Sequence, residues 1–132
     1  MDLQERAKPL ADNELTKKLF SLIEKANGHK KLKRGANEAA KSLNRDQSEL
    51  ILLAADATPL EIILHLPLLC EDKSVPYIFV PSMAELGQAC GTSRNVVACS
   101  IIKKDTQDQA LEKEIKDMRI VVEKCYYENI NE

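Results

Sequence analysis

The amino-acid sequence predicts an α/β protein, namely a single-domain, three-layer α/β/α sandwich with a small mixed central sheet. Short apolar runs alternate along the chain with amphipathic segments of helical periodicity, and this alternation is typical of layered α/β folds. The chain has 132 residues, of which 44% are hydrophobic, so it is long enough to bury a core. We find no repeat, linker or low-complexity tract. We therefore expect residues 1–132 to form one domain, with residues 1–8 and 128–132 loose at its ends.

The first two helices flank a short basic segment. Asp12 or Asn13 can cap the first helix, whose apolar residues recur at helical spacing until Gly28 provides a stop signal. Residues 30–34 are expected to form an extended link that could serve as an edge strand. A second helix is predicted to begin near Gly35. Its apolar face consists of Ala36, Ala39, Ala40 and Leu43.

Three apolar runs predict the strands of the sheet. They are "ELILLAAD" at 49–56, "PYIFV" at 76–80 and "NVVACSII" at 95–102. The first run is apolar almost without a break, which is typical of a strand that is covered on both faces.

Three further helices complete the predicted fold. The third is expected to begin at Pro59, and Pro67 is expected to break it before the segment "LPLLCEDK". Ser82 is predicted to cap a fourth helix that runs through Cys90. The last helix has a predicted buried face spaced by three and four residues, formed by Leu111, Ile115, Met118, Val122 and Cys125.

Charge is distributed unevenly along the chain. The net charge is −2 and the isoelectric point about 5.8, so no overall basic field indicates nucleic acid. Residues 28–45, however, hold six Lys or Arg residues and one acid, whereas residues 105–132 hold eight acids and four bases. The sequence therefore predicts a local positive patch around the second helix.

The cysteines and the hydropathy pattern exclude several classes. Cys70, Cys90, Cys99 and Cys125 form no C-x-x-C pair and have no His at zinc-ligand spacing, so we interpret them as buried free thiols in a reducing compartment. We see no signal peptide and no apolar run long enough to span a membrane. Neither a metal nor a membrane is therefore expected as a partner.

The sequence does not indicate an enzyme. His29 lies in a basic loop, and His65 lies in an apolar helix where it is interpreted as structural. No nucleophile elbow, P-loop or dinucleotide fingerprint is present. Asp56 ends a strand but has no matching base, so it is interpreted as a helix cap or turn residue. We therefore expect neither catalysis nor a cofactor.

The segment around Gly35 points instead to RNA. The free N–H groups at a helix start favour phosphate, and glycine lets another backbone approach. Asn37, Lys41 and Arg45 follow on one face of the helix. Cations hold phosphates regardless of sequence, whereas an amide and the carboxylate of Glu38 can read base edges. Glu38 is thus interpreted as a base-selecting residue.

An alternative interpretation stays open for the same helix face. Glu38 could simply pair with Lys41 or Arg34 on a solvated surface. Residue spacing alone does not decide between the two interpretations.

Four stretches resemble a known family. They are "PLADNELTKKL", "LKRGANEAAKSLNR", "AADATPLEIILHLPLLCEDKSVPYIFV" and "LGQACGTSRNVVACS", and they extend from about Pro9 to Ile102. Together they resemble the kink-turn RNA-binding family of the ribosomal L-seven-Ae superfamily. "PLLCEDK" is shared with ribosomal members, while "ANEA-K-LNR" and "CG-SR" favour the eukaryotic nuclear branch of the U4 snRNP and box C/D snoRNPs.

The resemblance implies a set of RNA contacts. Members of the family grip a sharply bent internal loop with tandem sheared G·A pairs and one extruded nucleotide. By resemblance, the residues at the G·A pairs are Gly35, Asn37, Glu38 and Lys41. Lys33 and Arg45 would lie near phosphates. Beside the extruded base would lie Arg94, with Ile62 and Val97 lining its pocket.

The resemblance also implies a cellular role. The expected RNAs are U4 snRNA and box C/D snoRNA, and binding would nucleate spliceosomal tri-snRNP and snoRNP assembly for pre-mRNA splicing and rRNA processing. The expected location is the nucleus and nucleolus, and the isolated protein is expected to be a monomer. RNA and protein together would present a composite surface to a Nop-domain protein. Leu66, Leu68 and Leu69 either contribute to this surface or belong to the core.

Two other roles remain open at this stage. The first is a ribosomal large-subunit relative, against which the loop "GTSRN" argues. The second is a protein-interaction adaptor of the same fold that has lost RNA binding.

The chain departs from the nuclear pattern at the extruded-base pocket. Thr58 stands where the nuclear branch typically has an acid, Met83 where it has a lysine, and Asn95 where it has a proline. We therefore expect the base to be held by apolar contact and Thr58, with weak discrimination among bases. Met83 could alternatively be a gap-filling residue that caps the pocket.

Overall fold

The computed structural model describes residues 9–57 and 63–131, with side chains described as far as Cys125. The strands in these ranges are β1 (Leu32–Arg34), β2 (Ser48–Ala54), β3 (Tyr77–Val80) and β4 (Ala98–Ile102). The helices are α1 (Asn13–Gly28), α2 (Ala36–Asn44), α3 (His65–Lys73), α4 (Met83–Ala89) and α5 (Gln109–Asn131).

The sheet is mixed, with the strand order β1-β4-β2-β3. Strand β4 runs antiparallel to both of its neighbours, while β2 and β3 are parallel. The basic link predicted as an edge strand does pair with β4, as β1. On the opposite edge, Leu10 bridges to Phe79 of β3, and the Ala11 amide donates to the Phe79 carbonyl at 2.8 Å.

Helices cover both faces of the sheet and confirm the predicted sandwich. Leu50 and Leu52 of β2 face a cluster formed with α1, α4 and α5. Ile51 and Leu53 face a second cluster formed with α2 and α3. All four side chains are fully buried, which explains why β2 is apolar at successive positions rather than alternating.

The predicted caps of two helices are confirmed. The Asp12 carboxylate accepts a hydrogen bond from the Leu15 amide at 2.8 Å at the start of α1. The Ser82 hydroxyl accepts from the Glu85 amide at 3.2 Å at the start of α4. Both bonds satisfy amides that have no acceptor within their helix.

The break predicted before the segment "LPLLCEDK" is present, as a turn at residues 63–64. Helix α3 begins just after it at His65, so Pro67 is the third residue of this helix, which continues to Lys73. An amide at that position has no acceptor within the helix, so proline removes no hydrogen bond there. The predicted helix start at Pro59 lies outside the described residues.

The last described element is helix α5, which continues to Asn131. Its last turns contain no glycine or proline that would end the helix. The expectation that residues 128–132 are loose stays a prediction. Residues 1–8, also predicted to be loose, lie outside the described residues.

Lys31 was counted in the positive patch, but its side chain is fully buried. Its Nζ donates to the Lys104 carbonyl at 2.8 Å and to Glu112 Oε1 at 3.2 Å, and lies 3.6 Å from Glu49 Oε2. These partners compensate the buried charge. Lys31 therefore fastens α5 to the sheet and contributes little to the surface patch.

The cysteines are free, and three of them are buried as predicted, while Cys125 is partly exposed. Burial, reinforced by the charge of Glu71, raises the pKa of Cys70 to about 12, so this thiol stays neutral. Within the described parts of the chain, no helix is long and apolar enough to cross a membrane.

Candidate nucleic-acid interface

The last residues of β1, β2 and β3 and the first residue of β4 lie together at one end of the sheet, which we call the shared edge. Arg34 at the end of β1 pairs with Cys99 near the start of β4, and Ala54 and Val80 pair at the ends of β2 and β3. Leu53 pairs with the first residue of β4. The start of α2, the start of α4 and the loop that leads into β4 therefore share this edge.

Gly35 joins β1 to α2 in a conformation that favours glycine. Its φ is 99°, in the region that other residues rarely adopt. Its amide donates to the Ala98 carbonyl at 2.7 Å, and its carbonyl accepts from the Ala39 amide at 2.9 Å. The amides in the first turn of a helix have no acceptor within the helix, and residue 35 has no side chain that could accept from them. This helix start is suited to an anion.

The outer face of α2 carries the polar residues that the sequence singled out. Asn37 is exposed, and the side chains of Glu38 and Lys41 are 46% and 59% exposed. Glu38 Oε1 lies 3.5 Å from Lys41 Nζ, which is the pairing named in the alternative interpretation. An exposed pair of this kind contributes only a few tenths of a kcal/mol, about 0.2–0.5. The carboxylate can therefore exchange this partner for another at small cost.

A chain of buried hydroxyls fixes α2 to the sheet. Ser42 Oγ donates to the Ala39 carbonyl at 2.7 Å and lies 2.8 Å from Ser100 Oγ, which lies 2.8 Å from Ser48 Oγ. All three serines are buried. These serines were not among the predicted site residues, although a polar residue on the apolar face of α2 was a usable signal. Buried hydroxyls need defined partners, so they fix the position of the helix.

The backbone of Met83, at the start of α4, is held from two sides. Its amide donates to Asp56 Oδ1 at 2.8 Å, and its carbonyl accepts from the Val96 amide at 3.0 Å. The interpretation of Asp56 as a helix cap is thereby confirmed. The Met83 side chain is partly buried against the cluster on the α1, α4 and α5 side. Its role as a gap-filling cap of the base pocket stays a prediction.

The loop at 91–97 presents Arg94 at the same edge. Arg94 is exposed, and its backbone amide donates to Thr92 Oγ1 at 3.2 Å. Val97 is partly buried against the cluster on the α2 and α3 side, and its carbonyl accepts from the Ala54 amide at 2.9 Å. The loop is thus joined to the end of β2.

Arg34 adds a cation that was not among the predicted site residues. Its Nη1 lies 3.5 Å from the Cys90 carbonyl at the end of α4, a long hydrogen bond between β1 and the loop region.

A hydrogen bond to Cys90 and burial raise the pKa of Cys99 well above its usual value, so that thiol stays protonated. Among the described side chains, no group of three or more His, Cys, Asp or Glu could hold a metal ion.

The structure does not bring all the predicted residues together. Lys33 is exposed on β1, two positions before Gly35. Arg45 follows the last residue of α2, roughly 15 Å along the helix axis from Gly35. Thr58 and Ile62 lie outside the described residues. The residues at the shared edge are Gly35, Asn37, Glu38, Met83, Arg94 and Val97, with Lys41 one turn further along α2.

Comparison with known proteins identifies the family. Residues 17–111 match the model of the Ribosomal protein L7Ae/L30e/S12e/Gadd45 family, which is well over half of the chain. The chain belongs to this family. The resemblance inferred from the sequence motifs is therefore confirmed.

Relatives in the L7Ae family match over nearly the whole chain. NHP2-like protein 1 of Rattus norvegicus is 55% identical over 124 residues, which is 93% of this chain and 94% of the relative. Small nuclear ribonucleoprotein associated homolog 13 of Caenorhabditis elegans is 55% identical over 119 residues, covering 90% and 91%. The solved structure of the Giardia lamblia 15.5kD RNA binding protein superposes with a TM-score of 0.86 at 44% identity, covering 95% of this chain and 99% of that one.

Proposed function

We propose that this protein binds a kink-turn in U4 snRNA and in box C/D snoRNA, and that it nucleates assembly of the spliceosomal tri-snRNP and of snoRNPs. It acts by binding and not by catalysis, in the nucleus and nucleolus, in pre-mRNA splicing and rRNA processing. The observation that carries the proposal is the meeting of the α2 start and the Arg94 loop at one edge of the sheet. Relatives named as ribonucleoprotein-associated or RNA-binding proteins support it.

Helix α2 recognises the tandem G·A pairs in this proposal. Asn37 and Glu38 are exposed enough to reach base edges, and a carboxylate accepts hydrogen bonds from the amino group of guanine. Lys41 and Lys33 are exposed cations that hold the phosphates, together with the amides at the start of α2. Arg45, at the far end of the helix, contacts phosphate away from the G·A pairs.

The extruded nucleotide lies on the other side of this edge. Arg94 contacts the RNA beside it, and Val97 supplies an apolar wall. Thr58, Ile62 and Met83 complete the pocket by resemblance to the family. RNA of this kind is recognised by its bent shape and by bases that leave the stack, which fits a pocket next to a base-reading helix.

A Nop-domain protein is the proposed partner of the RNA-bound form. Of the three leucines named for this surface, Leu66 is fully buried and belongs to the core, and Leu69 is partly buried. Leu68 is 71% exposed, which is unusual for a large apolar side chain. Leu68 on α3 is therefore the residue proposed for the partner contact.

A binding experiment with matched RNAs tests the proposal. A synthetic kink-turn is compared with the same RNA in which Watson–Crick pairs replace both G·A pairs, using wild type, Asn37→Ala and Asn44→Ala. Asn44 is an exposed asparagine on the same helix and serves as the control. We expect the preference for G·A pairs to be lost in Asn37→Ala only. Equal binding of both RNAs by wild type would refute the proposal.

Identification of the bound RNA in cells tests the assignment to nuclear particles. Crosslinking and sequencing should recover U4 snRNA and box C/D snoRNA. Co-sedimentation with ribosomes and recovery of rRNA would indicate a ribosomal protein instead.

A further inference from the structure

Gly87 lies in the middle of α4, where glycine is a poor helix former. The residue is buried, and a Cβ atom placed on it would overlap the carbonyl oxygen of Arg94 and lie 3.2 Å from the carbonyl carbon. Both are backbone atoms, so no side-chain rotation would relieve the overlap. The loop at 91–97 can pack this closely on α4 only because residue 87 has no side chain.

Hydrogen bonds hold the loop in this position. The Thr92 amide donates to the Gly87 carbonyl at 3.0 Å, and the Val96 amide donates to the Met83 carbonyl at 3.0 Å. Between them, the Arg94 amide donates to Thr92 Oγ1 at 3.2 Å. The backbone of Arg94 is therefore fixed against α4 while its side chain is free to reach solvent.

We propose that Gly87 is a positioning residue of the RNA site and acts through the backbone of Arg94. The inference rests on the proposed function, in which Arg94 contacts the RNA beside the extruded nucleotide. A side chain at residue 87 would move the Arg94 backbone away from α4 and displace its guanidinium. The start of α2 would stay in place, because Gly35 and the buried Ser42 hydroxyl attach it to β4.

The test compares Gly87→Ala with Gly28→Ala. Gly28 is also a helical glycine, but a Cβ placed on it meets no atom within 4 Å. Each variant is titrated with a complete kink-turn RNA and with the same RNA carrying an abasic extruded position. We expect Gly87→Ala to weaken binding of the complete RNA by about tenfold, or about 1.4 kcal/mol, and of the abasic RNA by less than about twofold. Gly28→Ala should change neither affinity.

A double-mutant cycle separates positioning from general destabilisation. If Gly87 acts through Arg94, the loss caused by Gly87→Ala disappears in an Arg94→Ala background. If Gly87→Ala does not fold, Thr92→Val provides a second variant, because it removes only the hydroxyl that accepts from the Arg94 amide. Thr92→Val should weaken binding of the complete RNA by roughly twofold to threefold and leave the abasic RNA unaffected.

A measurement without RNA keeps this inference separate from the proposed function. Amide hydrogen exchange at Thr92 and Val96 should be faster in Gly87→Ala and unchanged in Gly28→Ala. Equal affinity losses for both RNAs, or unchanged exchange in Gly87→Ala, would overturn the positioning role. A wild type that binds neither RNA would overturn the proposed function, and the exchange rates would still show whether Gly87 positions the loop.

Discussion

Replacing Glu38 with alanine separates the two interpretations of α2 by the sign of the effect. Glu38 is the one acid among the cations of residues 28–45. If it only pairs with Lys41, its removal leaves a more positive surface, and RNA should bind as tightly as before or more tightly. If it reads guanine, its removal should weaken binding.

The expected magnitudes differ enough to be resolved. A lost base-edge contact costs on the order of 1–3 kcal/mol, which is about fivefold to 150-fold in affinity. The 3.5 Å pair with Lys41 is half-exposed, so its loss should lower the free energy of unfolding by no more than about 0.5 kcal/mol. The favourable position of an acid in the first turn of a helix adds a comparable amount, roughly 0.3–1 kcal/mol. Glu38→Ala should therefore weaken RNA binding by about 1–3 kcal/mol and lower the free energy of unfolding by no more than about 1.5 kcal/mol.

The assay measures both quantities on matched variants. Fluorescence anisotropy with a labelled kink-turn RNA gives the affinity, and urea denaturation gives the free energy of unfolding. Glu24→Ala is the control, because Glu24 is an exposed glutamate on α1, away from the shared edge. Asn37→Ala should lose affinity in the same range as Glu38→Ala. Wild-type affinity in Glu38→Ala, or any gain, would refute the base-reading role.

Three further predictions follow from the charges and the pocket. Lys41→Ala should weaken binding to all RNA loops alike and reduce the slope of log K against log salt by about 0.7–0.9, because one phosphate contact is lost. An unchanged slope would show that Lys41 only pairs with Glu38 on the helix. The double variant Thr58→Glu, Met83→Lys should prefer one extruded base more strongly than wild type does, when the affinities for four RNAs that differ at that nucleotide are compared, and either single change should increase this preference less. If wild type already prefers one base by more than about tenfold, or 1.4 kcal/mol, other residues read the base. Lys31→Met should lower the free energy of unfolding, measured by urea denaturation, by about 3–5 kcal/mol. Lys25→Met breaks an exposed pair and should lower it by less than about 1 kcal/mol, and equal losses in the two variants would contradict the role of the buried network.

Local patterns predicted the elements of the fold but not all of their boundaries. Asp12 and Ser82 were identifiable as caps because capping depends on residues within one turn. The exact first residue of α3 could not be predicted, because Leu64, which precedes it, gives no capping signal. The order of the strands could not be predicted, since pairing between distant segments leaves no local periodicity.

In the candidate site, too, the features that follow from local sequence were predicted, and those that depend on distant contacts were not. The motif around Gly35 predicted the start of α2 and its exposed polar face, because both follow from helical spacing. The burial of Lys31 was missed because its partners come from distant parts of the chain, at Lys104 and Glu112. Gly87 was a readable signal, a glycine inside a predicted helix, but only the structure shows which backbone it admits.

The strand order has a consequence for synthesis on the ribosome. Among the strands in the described part of the chain, β1 pairs only with β4, and β4 also separates β1 from β2. The nascent chain therefore exposes β1 without a partner until residues 98–102 have left the exit tunnel. The Gly35 amide finds its acceptor, Ala98, at the same late moment. A truncated chain that ends before β4 would hold the residues of α2 without a fixed orientation, so RNA capture should begin only after all four described strands have been translated.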